Sequence, residues 1–490
     1  MRRYPMSGAL LAMVAGLLLG ADVLAATPIA WERIENPLLR AAQFDLFMGE
    51  PFVAVTHLEA DILQGHIDGR SAQTQLVLGG MYLANGSHHK AAEIFTRLGN
   101  SNQPQAVRNQ AWLRLAQVQY QRGETDVALA SLLRISGDLP SQGQQERLLL
   151  SGMLHMQKGQ FAEAASALRQ LGKKSLLQQL DEKSVWATYG RFNLGVALFR
   201  QGEEAEGSKL LQELGDAAAD TEEGLALRDK ANLTLAYHYL SKKEPEKAQQ
   251  YFVKTRLQGP MSSRALLGLG RAYSAKGLDK KSLVPWLKLV KMDASDPAVQ
   301  DGLLAVPFAF GKLQAFKQAL GYYQQALEKF KAEMEQVNQA EEAVDSGVLM
   351  DNLARAVASQ SANDRWLVQG LPNTPGGRYL WQLFSTNEFQ ETLKNYAQLR
   401  LSMGRLEQWS SQIDSAKQLT PSHRQKLEQK VLKLQGALLS MLERIQTHLK
   451  TLAKETLNRR KQRLLGYAGE ARFSMAQIYD YASKRWGDKQ

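Results

Sequence analysis

The chain has no cysteine among its 490 residues, which removes several kinds of chemistry at once. Without a thiol there is no disulfide, no thiolate metal site, no cysteine nucleophile and no lipid attached through cysteine. The chain also lacks a Gly-rich phosphate loop, a GxSxG elbow, an HExxH pair and an EF-hand loop. We therefore expect no enzymatic activity, no cofactor and no metal.

Long apolar runs are also scarce, and the one at the N-terminus predicts an export signal. Arg2 and Arg3 precede the apolar run "GALLAMVAGLLLG", and small residues follow it up to Ala25. This order favours a signal peptide over residues 1–25, cleaved after Ala25, and a periplasmic protein. An uncleaved segment that anchors the chain to the inner membrane is the alternative.

Acidic residues are scarce in the C-terminal hundred residues. The whole chain has a net charge of +11, and residues 391–490 alone hold 19 Lys/Arg and 9 Asp/Glu, a difference of +10. The rest of the chain is close to neutral. An anionic partner should therefore be sought near the C-terminus.

What the sequence does contain is a repeated frame of small and large residues. Eight segments place a small residue seven positions before a turn, a second small residue five positions after it, and a large apolar residue nine positions after it. The turn is usually glycine, as in Gly86 and Gly277, but Lys243 and Gln314 take its place twice. Pro307 breaks the first small position. The second small positions are Ala54, Ala91, Ala128, Ala164, Gly207, Ala248, Ser282 and Ala319.

The frame has a direct physical meaning. Two helices joined by a tight turn pack closely only where small residues sit at their crossing, and a glycine lets the chain reverse. One hairpin cannot bury its apolar face alone, so hairpins stack into a solenoid. We predict an all-α protein with a solenoid of about eight hairpins over residues 26–335.

The frame resembles the tetratricopeptide repeat. The segment "LGLGRAYSAKG" supplies Leu269, Gly270, Tyr273 and Gly277, and Trp112 occupies the early tryptophan position of its repeat. The resemblance implies a groove, lined by the first helices, that binds peptide or helix segments of other proteins. The groove positions it implies here are Gln117, Tyr120, Gln121, Gln157, Phe199, Arg200, Tyr237 and Arg271.

The adjacent pair His88 and His89 invites a metal-site interpretation. Both fall at the start of a second helix, where neighbouring side chains point in different directions. The other histidines are scattered along the chain. We expect both to be solvated residues at a helix start.

The C-terminal region carries a different pattern. We predict a connector over 336–389, containing the loop "LPNTPGG", and a basic coiled-coil region over 390–490. Thr420 and Pro421 have the cap and first-turn positions of a helix start. The predicted coiled-coil seam of that helix is Leu427, Val431, Leu434, Leu438, Met441, Ile445 and Leu452, with His448 as a polar intruder. The region forms either an antiparallel hairpin within the chain or a dimer through its second helix.

The basic stretch "NRRKQR" is expected to end this long helix, with a further amphipathic helix over 471–482. Arg459, Arg460, Lys461 and Arg463 are candidates for an anionic contact, and the alternative explanation is favourable charge near a helix C-terminus. No nucleic-acid recognition motif is present.

Recognition of other proteins is the function that these observations favour. One hypothesis is a periplasmic scaffold of a cell-envelope complex in transport, secretion or energy transduction. The alternative is a periplasmic chaperone or assembly factor that holds client chains transiently.

Overall fold

The computed structural model describes residue 34, residues 36–48, 50–171, 185–358, 376–380, 383, 386–415 and 420–487. The predicted signal peptide, Gly49 and most of the "LPNTPGG" loop lie outside these residues. The described chain divides into two units. The first unit contains residues up to 150 together with 339–457, and the second contains 151–338 together with residues from 458 onward.

The predicted solenoid of about eight hairpins is confirmed, and sixteen helices within the described residues form it. They are α1 (Pro37–Phe47), α2 (Pro51–Leu63), α3 (Ala72–Ala84), α4 (His88–Gly99), α5 (Gln105–Gln121), α6 (Thr125–Leu133), α7 (Ser141–Gln157), α8 (Phe161–Leu171), α9 (Val185–Gln201), α10 (Glu204–Asp216), α11 (Glu222–Ser241), α12 (Pro245–Phe252), α13 (Ser262–Ala275), α14 (Asp279–Leu289), α15 (Pro297–Lys312) and α16 (Phe316–Asp345). Odd-numbered helices are the first helices of hairpins. The contacts are strong within the hairpins that begin with α1, α3, α5, α9, α11 and α13.

The turn of each hairpin has a left-handed backbone wherever it is described. Gly86, Gly123, Gly159, Gly202 and Gly277 have φ angles between 72° and 95°. Lys243 and Gln314 adopt φ angles of 61° and 57°, although side chains disfavour this region. The stacked hairpins therefore impose the turn even where the sequence does not supply glycine.

The small and large positions meet as predicted. A Cβ atom added to Gly79 would lie 2.7 Å from Cε1 of Phe95, and one added to Gly152 would lie 2.6 Å from Cγ of Leu168. Ala54, Ala91 and Ala248 are fully buried at the second small position. Pro307 stays inside α15 and is buried, so the helix continues through the one position that breaks the frame.

Among the described residues after the hairpins lie the helices α17 (Val348–Ala358), α18 (Asn387–Ser415) and α19 (Pro421–Gly487). Thr420 caps α19, since its hydroxyl oxygen accepts from the backbone N–H of His423 at 3.4 Å. The helix runs without interruption for 67 residues, so the expected end near 458–463 and the separate helix over 471–482 are wrong. Gly466 and Gly469 lie inside it and do not break it.

The two long helices pair within the first unit. Nε2 of His448 on α19 lies 3.0 Å from a carboxylate oxygen of Glu388 on α18. The amide of Gln446 also donates to the hydroxyl of Tyr396 at 3.2 Å. These contacts favour the hairpin within the chain.

The predicted seam of α19 is correct at only every second position. Val431, Leu438, Ile445 and Leu452 are covered, but Leu434 and Met441 are 54% and 44% exposed. The residues that directly follow Met441 and His448 are covered instead. They are Leu442 and Leu449. His448 lies seven residues after Met441 and is exposed as well. Its polarity was therefore the sequence signal that this half of the predicted seam lies one residue before the covered positions.

Among the described residues, no helix combines the length and the apolar character needed to cross a membrane.

Candidate partner-binding site

The first helices of the second unit contact one another in chain order. Helix α9 contacts α11, α11 contacts α13, and α13 contacts α15. In each of these helices we count residues back from the turn that ends the helix. The residues 13, 6 and 2 positions before the turn are separated by 7 and 4 residues, so they lie on one side of the helix. We call this side of α9, α11, α13 and α15 the inner face.

A side chain 6 residues before one turn reaches the residue 13 positions before the next turn. In the second unit the hydroxyl of Tyr237 donates to the carbonyl oxygen of Arg264 at 2.9 Å. One hairpin further, the guanidinium of Arg271 lies 2.9 Å from Asp301. In the first unit the amide of Gln117 donates to Glu146 at 3.2 Å. These contacts link the first helices of successive hairpins.

The groove residues predicted in the first unit are not available to a partner. Gln117, Tyr120 and Gln121 are 1%, 2% and 9% exposed. Their expected exposure is wrong, because α5 is covered from several sides and contacts α18 of the C-terminal region. Sequence periodicity predicted which helix they occupy, but not that a later part of the chain packs beside it.

Gln117 instead belongs to a buried polar cluster. The guanidinium of Arg114 lies 3.2 Å from Glu146 and donates to Gln117 at 2.8 Å. Gln142 also donates to the Glu146 carboxylate at 3.3 Å. Burial raises the pKa of Glu146, and the charge of Arg114 opposes that shift. The cluster holds two hairpins together in the first unit.

The histidine pair divides in the same unit. His89 is exposed, as expected, but His88 is 8% exposed and pairs with Glu391 of α18. The expectation of a solvated His88 is therefore wrong, again because α18 covers the hairpin. No group of three potential metal-binding side chains occurs in the part of the chain that the structure describes.

The groove residues predicted in the second unit remain partly accessible. Gln157 and Arg200 are exposed, and the Arg200 guanidinium lies 5.0 Å from the centre of the Phe161 ring. Phe199 is half-buried and stacks on His238 with ring centres 4.3 Å apart. Tyr237 packs its ring edge-on against Phe252 at 5.1 Å. The inner face of the second unit therefore offers both aromatic and cationic side chains.

Lys230 and Arg264 form a cationic centre on this inner face, and sequence reasoning missed both. They lie 13 residues before their respective turns, on α11 and α13. Lys230 is 7% exposed and sits 4.7 Å from the centre of the Phe192 ring. Burial, followed by the nearby charge of Arg264, lowers the pKa of Lys230 to about 7. Lys230 and Arg264 occupy the same position in successive repeats, and this was the sequence signal that could have predicted that they lie close together.

Two acidic residues near this centre, Asp301 and Asp229, have partners of their own. Asp301 pairs with Arg271 and also accepts from the hydroxyl of Tyr467. Asp229 is fully buried and accepts from the Arg256 side chain at 2.7 Å. Among the described residues, no carboxylate lies within ion-pair distance of Arg264.

The C-terminal part of α19 packs on the last hairpin of the second unit. Rings of Phe330 and Tyr467 lie 5.7 Å apart, and those of Phe316 and Tyr481 lie 5.4 Å apart. Between them, the side chain of Ser474 lies beside Tyr323. Both helices advance by seven residues from one pair to the next, in opposite directions, as in antiparallel coiled coils.

This packing changes the interpretation of the basic stretch "NRRKQR". Arg460 is 3% exposed and donates to the carbonyl oxygen of Ser295 at 3.0 Å, so it is wrong as an anionic contact. Lys461 and Arg463 are half-buried, and Arg459 is exposed. Part of this stretch is buried because α19 packs here against the loop before α15.

The hairpins are tetratricopeptide-like. Their turns, their small residues at helix crossings and their stacked first helices carry that conclusion. No family model matches the sequence, and no curated protein matches it.

Solved structures do match the fold. A tetratricopeptide repeat protein from Parabacteroides merdae is 16% identical, covers 55% of this chain and 97% of its own, and has a TM-score of 0.35. The apo form of RapI is 14% identical, covers 78% and 98%, and has a TM-score of 0.43. MamA MSR-1 C2 is 18% identical, covers 39% and 98%, and has a TM-score of 0.29.

Proposed function

We propose that this protein is a non-enzymatic scaffold of a cell-envelope complex that binds an acidic segment of a partner protein on the inner face of its second unit. We place it in the periplasm, with cleavage after Ala25, as the N-terminal sequence predicts. The observation that carries the proposal is the cationic centre formed by Lys230 and Arg264.

Burial and, to a smaller extent, the nearby charge of Arg264 lower the pKa of Lys230, so the two cations repel each other. A carboxylate bound beside them would relieve it, because an opposite charge stabilises the protonated amine. Tyr237, whose hydroxyl donates to the carbonyl oxygen of Arg264, offers an aromatic surface next to the centre. Such a site fits an acidic, extended or helical segment better than a neutral one.

The test is cross-linking in the native cell, followed by affinity purification and mass spectrometry of the full-length protein. Arg264→Gln removes one charge of the centre. Arg228→Gln is the matched control, because Arg228 is a half-buried arginine of α11 on the side opposite Lys230.

We expect one or two dominant partners with the unaltered protein and with Arg228→Gln, and their loss with Arg264→Gln. Retention of the same partners by Arg264→Gln would contradict the proposed site. A broad set of clients would instead favour the chaperone hypothesis. Sequencing the N-terminus of the exported protein tests the cleavage after Ala25, and an intact N-terminus would favour the anchored alternative.

A further inference from the structure

A stripe of exposed apolar and basic side chains runs along α19 in the first unit. Leu427, Leu434 and Met441 are 37%, 54% and 44% exposed, and they recur every seven residues. They are the half of the predicted coiled-coil seam that the fold leaves uncovered. Apolar side chains of this size, repeated along one line of a helix, mark an interaction surface.

Basic residues flank this line on one side. At 100° per residue, Lys426, Lys430, Lys433 and Arg444 share a sector of about 120° with the three apolar side chains. All four basic residues are exposed. The acidic residues of the same segment, Glu428 and Glu443, fall outside the sector. We call these seven residues the α19 stripe.

We propose that the α19 stripe lies on an anionic phospholipid surface. Apolar side chains beside lysines, with no acid between them, are typical of helices that lie in a membrane interface, where the apolar groups enter the acyl boundary and the lysines reach the phosphates. The surface that the sequence placed at residues 459–463 is thereby relocated to residues 426–444. This inference does not depend on the cationic centre of the second unit.

Other occupants fit the stripe less well. A partner helix in a coiled coil needs apolar residues at alternating spacings of three and four, but the intervening positions here are Lys430, Ala437 and Arg444. A second copy of the chain would bring four positive charges against four others. Three of the four basic residues are lysines, which act as mobile point charges and suit a diffuse layer of phosphates.

The absence of cysteine makes a local test possible in the full-length protein. Leu434→Cys places a single thiol on the stripe for an environment-sensitive fluorophore. Leu439→Cys is the matched control, because Leu439 is 53% exposed on the same helix but lies away from the basic residues. The labelled proteins are mixed with vesicles that carry brominated acyl chains, which quench a fluorophore at the bilayer.

We expect quenching at position 434 but not at 439, with vesicles of phosphatidylglycerol and phosphatidylcholine but not of phosphatidylcholine alone. Replacing Lys426, Lys430 and Lys433 with glutamine should weaken vesicle binding on the order of a hundredfold, because each lysine near an anionic surface adds to the binding free energy. Replacing the exposed Lys280, Lys281 and Lys288 with glutamine should leave it unchanged. Circular dichroism confirms that each variant is folded.

Several outcomes would overturn the proposal. Equal quenching at 434 and 439, or no quenching with anionic vesicles, removes the stripe as a lipid contact. A spectral change that depends on protein concentration without vesicles assigns the stripe to a second copy. A change with polyglutamate but none with vesicles assigns it to an acidic protein.

Discussion

The hydroxyl of Tyr467 donates a hydrogen bond to Asp301. The carboxylate therefore serves two partners, because its other oxygen pairs with Arg271 of the preceding hairpin. Through this one side chain, the C-terminal part of α19 is tied to the inner face of the second unit. Burial and the adjacent carboxylate both raise the pKa of Tyr467, so it remains a donor across the physiological range.

Tyr467→Phe removes that donor and leaves Asp301 paired with Arg271. We expect the free energy of unfolding to fall by about 1 kcal/mol, the usual net contribution of a hydrogen bond. Tyr479→Phe is the control, since Tyr479 is 55% exposed on the same helix. Urea unfolding followed by circular dichroism measures both. An equal loss in the two variants would show that the hydrogen bond does not hold α19 in place.

Gly270→Ala tests the crossing of α13 and α14. A Cβ atom at this position would overlap the indole of Trp286, which donates to the carbonyl oxygen of Leu267 at 3.1 Å. Overpacking of this kind costs about 1–3 kcal/mol of stability. Gly311→Ala is the control, because an added methyl group there meets nothing within 4 Å. Thermal unfolding should separate the two, and a Gly270→Ala protein as stable as Gly311→Ala would contradict the packing.

Lys243→Gly tests the turn between α11 and α12, where a lysine takes the place of glycine. A side chain at a φ angle of 61° is strained, and glycine removes that strain. We expect a gain in stability of up to about 1 kcal/mol. Lys243→Ala keeps a Cβ atom and should give no such gain, so the pair separates backbone strain from loss of the lysine charge. The midpoint of urea unfolding is the measurement.

Lys230 predicts a dependence of stability on pH. Its pKa falls from 10.5 to about 7 on folding, so the unfolded chain binds more protons between these values. Stability should therefore rise as the pH increases from about 7 towards 9. Below pH 7 the lysine is charged in both states and its contribution no longer changes.

Lys230→Met removes this titration. We expect the variant to be more stable than the unaltered protein at neutral pH and to lose the increase with pH. Urea unfolding at several pH values measures both effects. Parallel stability curves for the two proteins would show that Lys230 is not the group responsible.

Glu146→Gln tests the buried cluster of the first unit. The variant leaves the Arg114 charge buried without its carboxylate, and both residues are at most 4% exposed. Breaking a buried ion pair in this way costs about 3 kcal/mol or more. Glu163→Gln, at an exposed glutamate of α8, should cost almost nothing. A small effect of Glu146→Gln would indicate that the cluster contributes little.

Local patterns were enough to predict the hairpins. Gly79 and Ala91 reveal their hairpin because a close crossing of helices excludes larger residues, and that constraint appears in the sequence at fixed spacing. Positions that depend on contacts distant in sequence were not predictable in this way. His88 is buried by α18, about three hundred residues later in the chain, and Arg460 reaches the loop before α15.

The sequence by itself determined that helical hairpins follow one another, the places of their turns and the side chains that fill their crossings, because short-range sterics control each of them. The tertiary structure decided which faces remain open. Packing of α18 against the hairpins buries His88, and packing of α19 against them buries Arg460. Leu434, from the same predicted seam as the buried Val431, stays exposed. Burial of this kind depends on which distant helix arrives, and no local spacing records it.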